Sequence, residues 1–151
     1  MKLSSRSERE AYVKTWAALT ISVFALLLAI NGMYGSSNSS KILGKTIEAN
    51  NLWAWYQAKN VRMVIYETAG NKDRALAQAK DMEEIAQKAK SAEVLRDEAK
   101  TRSSQFTYAG MALQLSIVLS SAAILAAMIQ MIFISVGVGA VGVYFLIMAV
   151  L

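Results

Sequence analysis

Two stretches of the chain, residues 16–34 and 108–151, carry no charged side chain, and every charge falls in residues 1–15 or 35–107. Uncharged apolar runs of about 18 or more residues predict spanning helices, because a helix pairs its own backbone polar groups where no water can. The run from Trp16 to Tyr34 predicts a first transmembrane helix, about 27 Å long at helical rise. Trp16 and Tyr34 put an amphipathic ring at each end, at the depth of the headgroups. Ser7-Glu8-Arg9-Glu10 matches a capping box and places the helix start near Glu8. The polar region before the run is long, and no small-x-small site follows Ala29, so the run reads as a retained span and not a cleaved signal. The final uncharged stretch is twice the length that one span of about 20 residues needs. It predicts two transmembrane helices, 108–129 and 133–151, joined near Met128 to Met131, with Gln130 at the headgroup zone.

The block between them, residues 35–107, has a different pattern. Gly35 to Ser40 predicts a flexible linker by composition, and Asn38-Ser39-Ser40 matches a glycosylation acceptor triplet. Helices are expected over 41–69 and 72–107, with Gly70 as the residue past the first helix and Asn71 as N-cap of the second. In the second helix Met82, Ile85, Ala89, Ala92, Arg96, Ala99, Ser103 and Phe106 recur at alternating three and four, a heptad seam made thin by alanine. Lys80–Glu84, Glu84–Lys88 and Glu98–Arg102 stand at i,i+4 as surface charge pairs. The first helix is apolar almost all round. Ile47, Ala54, Ala58, Val61, Ile65 and Ala69 form one stripe, Leu52, Tyr56 and Met63 another, and Trp53 and Val64 a third. An antiparallel hairpin buries one of these faces and leaves the others for a second chain or a membrane surface. With no breaker over 103–108, the 72–107 helix is expected to run on into the second span, giving a stalk of about 54 Å. The expected fold is therefore all-α: an integral membrane protein with a basic N-terminal tail over residues 1–15, three transmembrane helices and a long extramembrane helical hairpin.

Composition narrows the chemistry. The chain is 55% hydrophobic and 18% charged, and it has no His, Cys or Pro. That excludes disulfides, zinc-thiolate sites and imidazole acid–base work. Glu83-Glu84 and Asp97-Glu98 are adjacent, so each pair diverges by about 100° on a helix. No phosphate-binding loop, dinucleotide fingerprint or nucleophile elbow is present. The expectation is a protein that is not an enzyme and needs no cofactor and no metal. The net charge is +5, but block 35–107 mixes 12 basic with 9 acidic residues. That is a solvated surface and not a phosphate track, so no nucleic acid is expected, while the short tail suits lipid headgroups. Lys2, Arg6, Arg9 and Lys14 favour a cytoplasmic N-terminus, with the hairpin on the opposite side.

Two sets of residues are candidates for function. Trp53, Trp55, Tyr56, Gln57, Lys59, Arg62 and Tyr66 gather rings and cations in one run and are read as an interface. Ala112, Ser116, Ser120, Ala123 and Ala127, with Gly139 and Gly142 in the last span, are read as transmembrane packing positions, where small residues let helix backbones approach. The run Leu52-Trp-Ala-Trp-Tyr-Gln-Ala-Lys59, followed by Asn-Val-Arg-Met-Val-Ile-Tyr66, resembles a bacterial membrane-protein family of unknown function with a W-A-[WY]-Y-Q-A-K signature. The similarity extends from about residue 14 to the end and departs at Met128 to Met131, where basic residues would be expected. It implies the same architecture and a multi-pass place in the bacterial inner membrane, and brings no activity. The functional expectation is a non-catalytic membrane assembly or interaction protein, self-associating as a homo-oligomer, with a further protein partner open. The alternatives are an oligomeric pore lined by Gln114, Ser116, Ser120 and Ser121, and an envelope enzyme subunit whose catalytic residues lie on a partner.

Overall fold

The computed structural model describes the backbone of residues 2–151 and the side chains from residue 7 onward, so the side chains of Lys2 and Arg6 in the basic tail lie outside the described residues. The chain forms three helices: α1 (Lys2–Thr68), α2 (Lys72–Ala126) and α3 (Ile129–Val150). Among the described residues there is no strand. The chain lacks proline, so no position inside these helices loses its backbone donor.

Two expectations are corrected by α1. It begins upstream of Ser7, so the Ser7-to-Glu10 box lies inside the helix and does not start it. Gly35 to Ser40 is helical and not a flexible linker. The reason is tertiary. Gly35 sits against the Phe106 side chain, and the Asn38 Nδ2 donates to Ala99 O at 2.8 Å. Weak local propensity is overridden by packing. The same hydrogen bond occupies the amide of the Asn38 triplet.

The helices divide into two compact units, one of residues up to Ser37 with Arg102–Leu151, the other Asn38–Thr101. In the first, buried positions recur at three and four on each helix: Val13, Ala17, Thr20 and Phe24 on α1, Leu113, Ser116, Ser120 and Ala123 on α2, and Ile132, Ser135, Gly139, Gly142, Leu146 and Ala149 on α3. Val13, Ala17, Ala123 and Ile132 form one apolar cluster, and Phe106, Ala109, Leu146 and Ala149 another. What is buried is mostly small. What is exposed is large: Leu26, Met111, Val118, Leu125, Phe133 and Ile134 all face outward. Asn31 is buried, and its Nδ2 donates to Phe106 O at 3.1 Å.

The join between α2 and α3 falls at Ala127 and Met128, earlier than the 128–131 expected, and Gln130 lies inside α3. Ala127 takes φ +51, and the Met128 N–H reaches back to Ala123 O at 3.2 Å. This is the longer hydrogen bond of a Schellman turn, formed here with alanine where glycine is usual.

In the second unit the connection between α1 and α2 follows the expected chemistry. Gly70 takes φ +73. The Asn71 N–H donates to Tyr66 O at 2.9 Å and the Gly70 N–H to Glu67 O at 3.0 Å, a full Schellman motif. The Asn71 Oδ1 then accepts from the Arg74 N–H at 3.2 Å and caps α2. Of the expected heptad seam, Met82, Ile85, Ala89, Ala92 and Ala99 are buried and Arg96 is half-buried. The expected Glu84–Lys88 pair is formed at 2.6 Å.

Contact requires glycine at residue 139 and not at residue 137. A Cβ at Gly139 would run into the buried Phe24 ring, whereas one at Gly137 meets nothing within 4 Å. Gly139→Ala is therefore expected to destabilise by about 1–3 kcal/mol, and Gly137→Ala to be neutral or to gain up to about 1 kcal/mol of helix propensity. Ala127→Gly is expected to stabilise by about 1 kcal/mol, because the Cβ penalty of a left-handed residue disappears. Thermal unfolding of the detergent-solubilised protein checks all three. Equal midpoints for the two glycine variants would contradict the contact.

Candidate functional site

The aromatic run 53–66 lies entirely on α1, and the turn at Gly70 brings α2 back alongside it. A helix advances about 100° per residue, so residues in such a run cannot share one face. The structure divides the seven interface candidates accordingly. Trp53, Tyr56, Lys59 and Tyr66 are half-buried against α2. The Trp53 Nε1 donates to Glu93 Oε1 at 3.1 Å, and its ring meets that of Tyr56 edge to face at 5.5 Å. The Lys59 Nζ pairs with Asp81 at 2.6 Å, and the Arg74 guanidinium lies over the Tyr66 ring at 5.7 Å. These four hold the hairpin. Trp55, Gln57 and Arg62 remain exposed, with Trp55 63% accessible.

Further along α2, Arg96 donates from Nε and Nη2 to the two oxygens of Asp97. That hydrogen bond, with the guanidinium charge behind it, holds the Asp97 carboxyl below its usual range. Arg96 is half-buried and Asp97 exposed, and the two are adjacent in sequence, so the pair shapes the local surface charge and little else.

Roughly opposite the α2-facing side of α1, at about 170° by the same rotation, runs a second apolar stripe. Leu43, Ile47, Val61 and Ile65 are all more than half accessible, with the exposed Ala54 and Ala58 between them. Val61 is 60% and Ile65 58% accessible. The stripe holds no charged residue. Most of it is visible as a pattern in the sequence, but ring and cation chemistry drew attention to 53–66 instead. Leu43 was missed, and the signal for it is its place four residues before Ile47.

The packing candidates in the apolar unit are used within the chain. The Ser116 hydroxyl donates to Ser135 O at 2.7 Å, the Ser135 hydroxyl donates to Ser116 O at 2.7 Å, and Ser120 Oγ meets Ser135 Oγ at 2.6 Å. All three side chains are fully buried. Gly139 receives the Phe24 ring, and a Cβ at Gly142 would stand 3.0 Å from Leu113 Cγ and 3.2 Å from Ala112 Cβ. Ala123 is buried beside Val13 and Ile132. Ala127 is not part of the stripe, since it forms the turn past the end of α2. Of the four residues considered for a polar pore, Ser116 and Ser120 are thus spent on α3, Ser121 donates to Ile117 O, and Gln114 is exposed. Among the described residues no group of three His, Cys, Asp or Glu side chains stands close enough to hold a metal ion.

No curated protein and no solved structure matches the chain. A domain of unknown function, DUF4337, matches in two overlapping segments, residues 13–82 and 67–151. Between them the segments take in both compact units and all but the first turns of α1. The chain belongs to the DUF4337 family, a family of domains of unknown function.

Proposed function

We propose that this chain is a multi-pass membrane protein that acts without catalysis, as an assembly protein that associates with further copies of itself through the outward stripe of α1. Its three helices are each long and apolar enough to cross a membrane. The distribution of side chains supports that setting. Hydroxyls, glycines and alanines are inside the apolar unit, and leucine, valine, isoleucine and phenylalanine are outside. In water this arrangement would leave the hydrophobic effect unused. In hydrocarbon, where large apolar side chains gain nothing by leaving the solvent, close backbone approach through small residues becomes the main source of cohesion.

The observation that carries the self-association reading is the stripe Leu43, Ile47, Val61 and Ile65, exposed in a single chain. Leu43 and Ile47, and then Ala54, Ala58, Val61 and Ile65, keep the three-and-four spacing of a helix seam on the side opposite the α2-facing residues, with Asn50 and Asn51 between the two runs. A second copy is the partner it fits. The stripe has no charge, so two identical stripes do not repel. Copies inserted in one membrane share one orientation, so the stripes meet parallel and in register, as an isologous two-fold contact requires. The small-residue faces of the apolar unit do not contribute, because α1, α2 and α3 already use them on one another. The N-terminal tail is placed in the cytoplasm of a bacterial cell and the hairpin across the inner membrane, on the strength of Arg9 and Lys14 with the two basic residues before them.

Light scattering of the protein in detergent and in nanodiscs tests the association. The wild-type chain is expected to run as a dimer or larger, and Val61→Asp with Ile65→Asp to shift the mass to that of one chain, with at least a ten-fold weaker dissociation constant. Tyr56→Ala, which loosens the hairpin from inside, is expected to lower the unfolding midpoint without changing the mass. A monomeric wild-type chain, or a double variant of unchanged mass, would overturn the reading. Alkaline carbonate extraction tests the membrane setting separately: the chain is expected to stay in the pellet, and its release would count against the spans.

A further inference from the structure

On the apolar unit α1 and α3 leave an open groove of about 460 Å³. Its walls include Tyr12, Trp16, Val23, Phe24, Ile132 and Val136. Thr20 is the one short polar side chain in the lining, and its hydroxyl donates to Trp16 O at 2.8 Å, so the floor offers no free polar group. From Tyr12 to Phe24 the groove follows α1 for about 18 Å, comparable to one leaflet, which is half of a hydrocarbon core of about 30 Å. No charged side chain lines it, and a cation stands just past one end, on α1. Arg9 lies one turn before Tyr12 and two before Trp16, on the same face of the helix by the i, i+3, i+7 rule. Arg9 is exposed and enters none of the ion pairs among the described residues. Beyond it the groove walls hold no charge at all.

We propose that this groove is a binding site for one phospholipid with an anionic headgroup, its acyl chain lying along α1 and α3 and its phosphate paired with Arg9. The two ends of the site match the two ends of such a molecule. The groove accepts hydrocarbon and nothing hydrophilic. The guanidinium presents a planar fork of donors that fits a phosphate better than a point charge does. Tyr12 and Trp16, 6.1 Å apart and edge to face, stand where the chain and the headgroup meet, the depth that amphipathic rings prefer. A net anionic headgroup is favoured over a zwitterionic one because a choline or ethanolamine cation would share the phosphate with Arg9.

The site rests on the membrane setting proposed above, and the test keeps the two apart. The purified full-length protein is offered equal amounts of phosphatidylglycerol and phosphatidylcholine in mixed micelles, and the retained lipid is counted by native mass spectrometry. Carbonate extraction of the membranes from which each variant is purified reports the membrane setting independently. The wild-type chain is expected to retain one phosphatidylglycerol about ten-fold over phosphatidylcholine. Arg9→Gln is expected to remove that preference, and Val136→Trp, which fills the groove from the α3 side, to remove retention of both lipids. Because Arg9 is exposed, its substitution leaves the fold intact even where the tryptophan variant proves unstable. Equal retention of the two lipids by the wild-type chain, a preference that survives Arg9→Gln, or a cross-link from Phe133 to a second copy occupying the groove would each overturn the proposal.

Discussion

The apolar unit depends on how closely α2 and α3 approach one another. At the centre of that contact Ser116 and Ser135 exchange hydrogen bonds reciprocally, each hydroxyl donating to the other's backbone carbonyl. Ser120 adds a third hydroxyl onto Ser135. Every hydroxyl hydrogen in the group has an acceptor, which is the condition for placing three polar side chains where no water reaches them. Such bonds contribute about 0.6 kcal/mol each between helices in lipid, so their value lies as much in fixing register as in strength. A shift of α3 by one residue would carry Ser135 round the helix by about 100° and leave all three donors unpaired. Gly139 and Gly142 follow Ser135 on the same face and extend the close approach, one admitting the Phe24 ring of α1 and the other the Leu113 side chain of α2.

Because the small residues are consumed inward, the outer surface of that unit is almost purely hydrocarbon. The three serine hydroxyls of its seam are paired within the chain, while the Oδ1 of the buried Asn31 has no hydrogen-bond partner. Cationic and aromatic groups stand instead at one end of the unit, where Arg9 and the Tyr12 and Trp16 rings lie, and in the hairpin. In the hairpin the same economy applies to aromatic side chains. Trp53, Tyr56 and Tyr66 serve the contact between α1 and α2: Trp53 with the Glu93 carboxylate, Tyr66 with the Arg74 guanidinium, and Tyr56 with the Trp53 ring. Trp55 remains exposed, and so does a second face. That face is an aliphatic stripe on the far side of α1, of Leu43, Ile47, Val61 and Ile65.

Helical character, the three apolar runs and the turn at Gly70 were legible because each has a local cause. Charge-free runs have no other stable form in hydrocarbon, the absence of proline leaves helices unbroken, and glycine followed by asparagine supplies both the left-handed residue and the next N-cap. The seam Met82, Ile85, Ala89, Ala92 and Ala99 was legible from its period. The misreadings share a different cause. Gly35 to Ser40 has the composition of a linker, and contacts with Phe106 and Ala99, more than sixty residues away, help hold it as helix. Ala127 has the composition of a packing residue, and it is the turn that brings α3 back onto α2, where Ser135 meets Ser116 and Ser120.

The amino-acid sequence by itself determined which segments are helical, which are apolar enough to leave water, and which positions along each helix repeat with the period of a buried seam, since these follow from side-chain chemistry and helical geometry alone. Tertiary structure decided which of several apolar faces of α1 meets α2, where α2 stops, and that the serines and glycines serve the chain's own packing. Those outcomes depend on which surfaces come into contact, and a helix that is apolar on every side carries no local signal to choose among them.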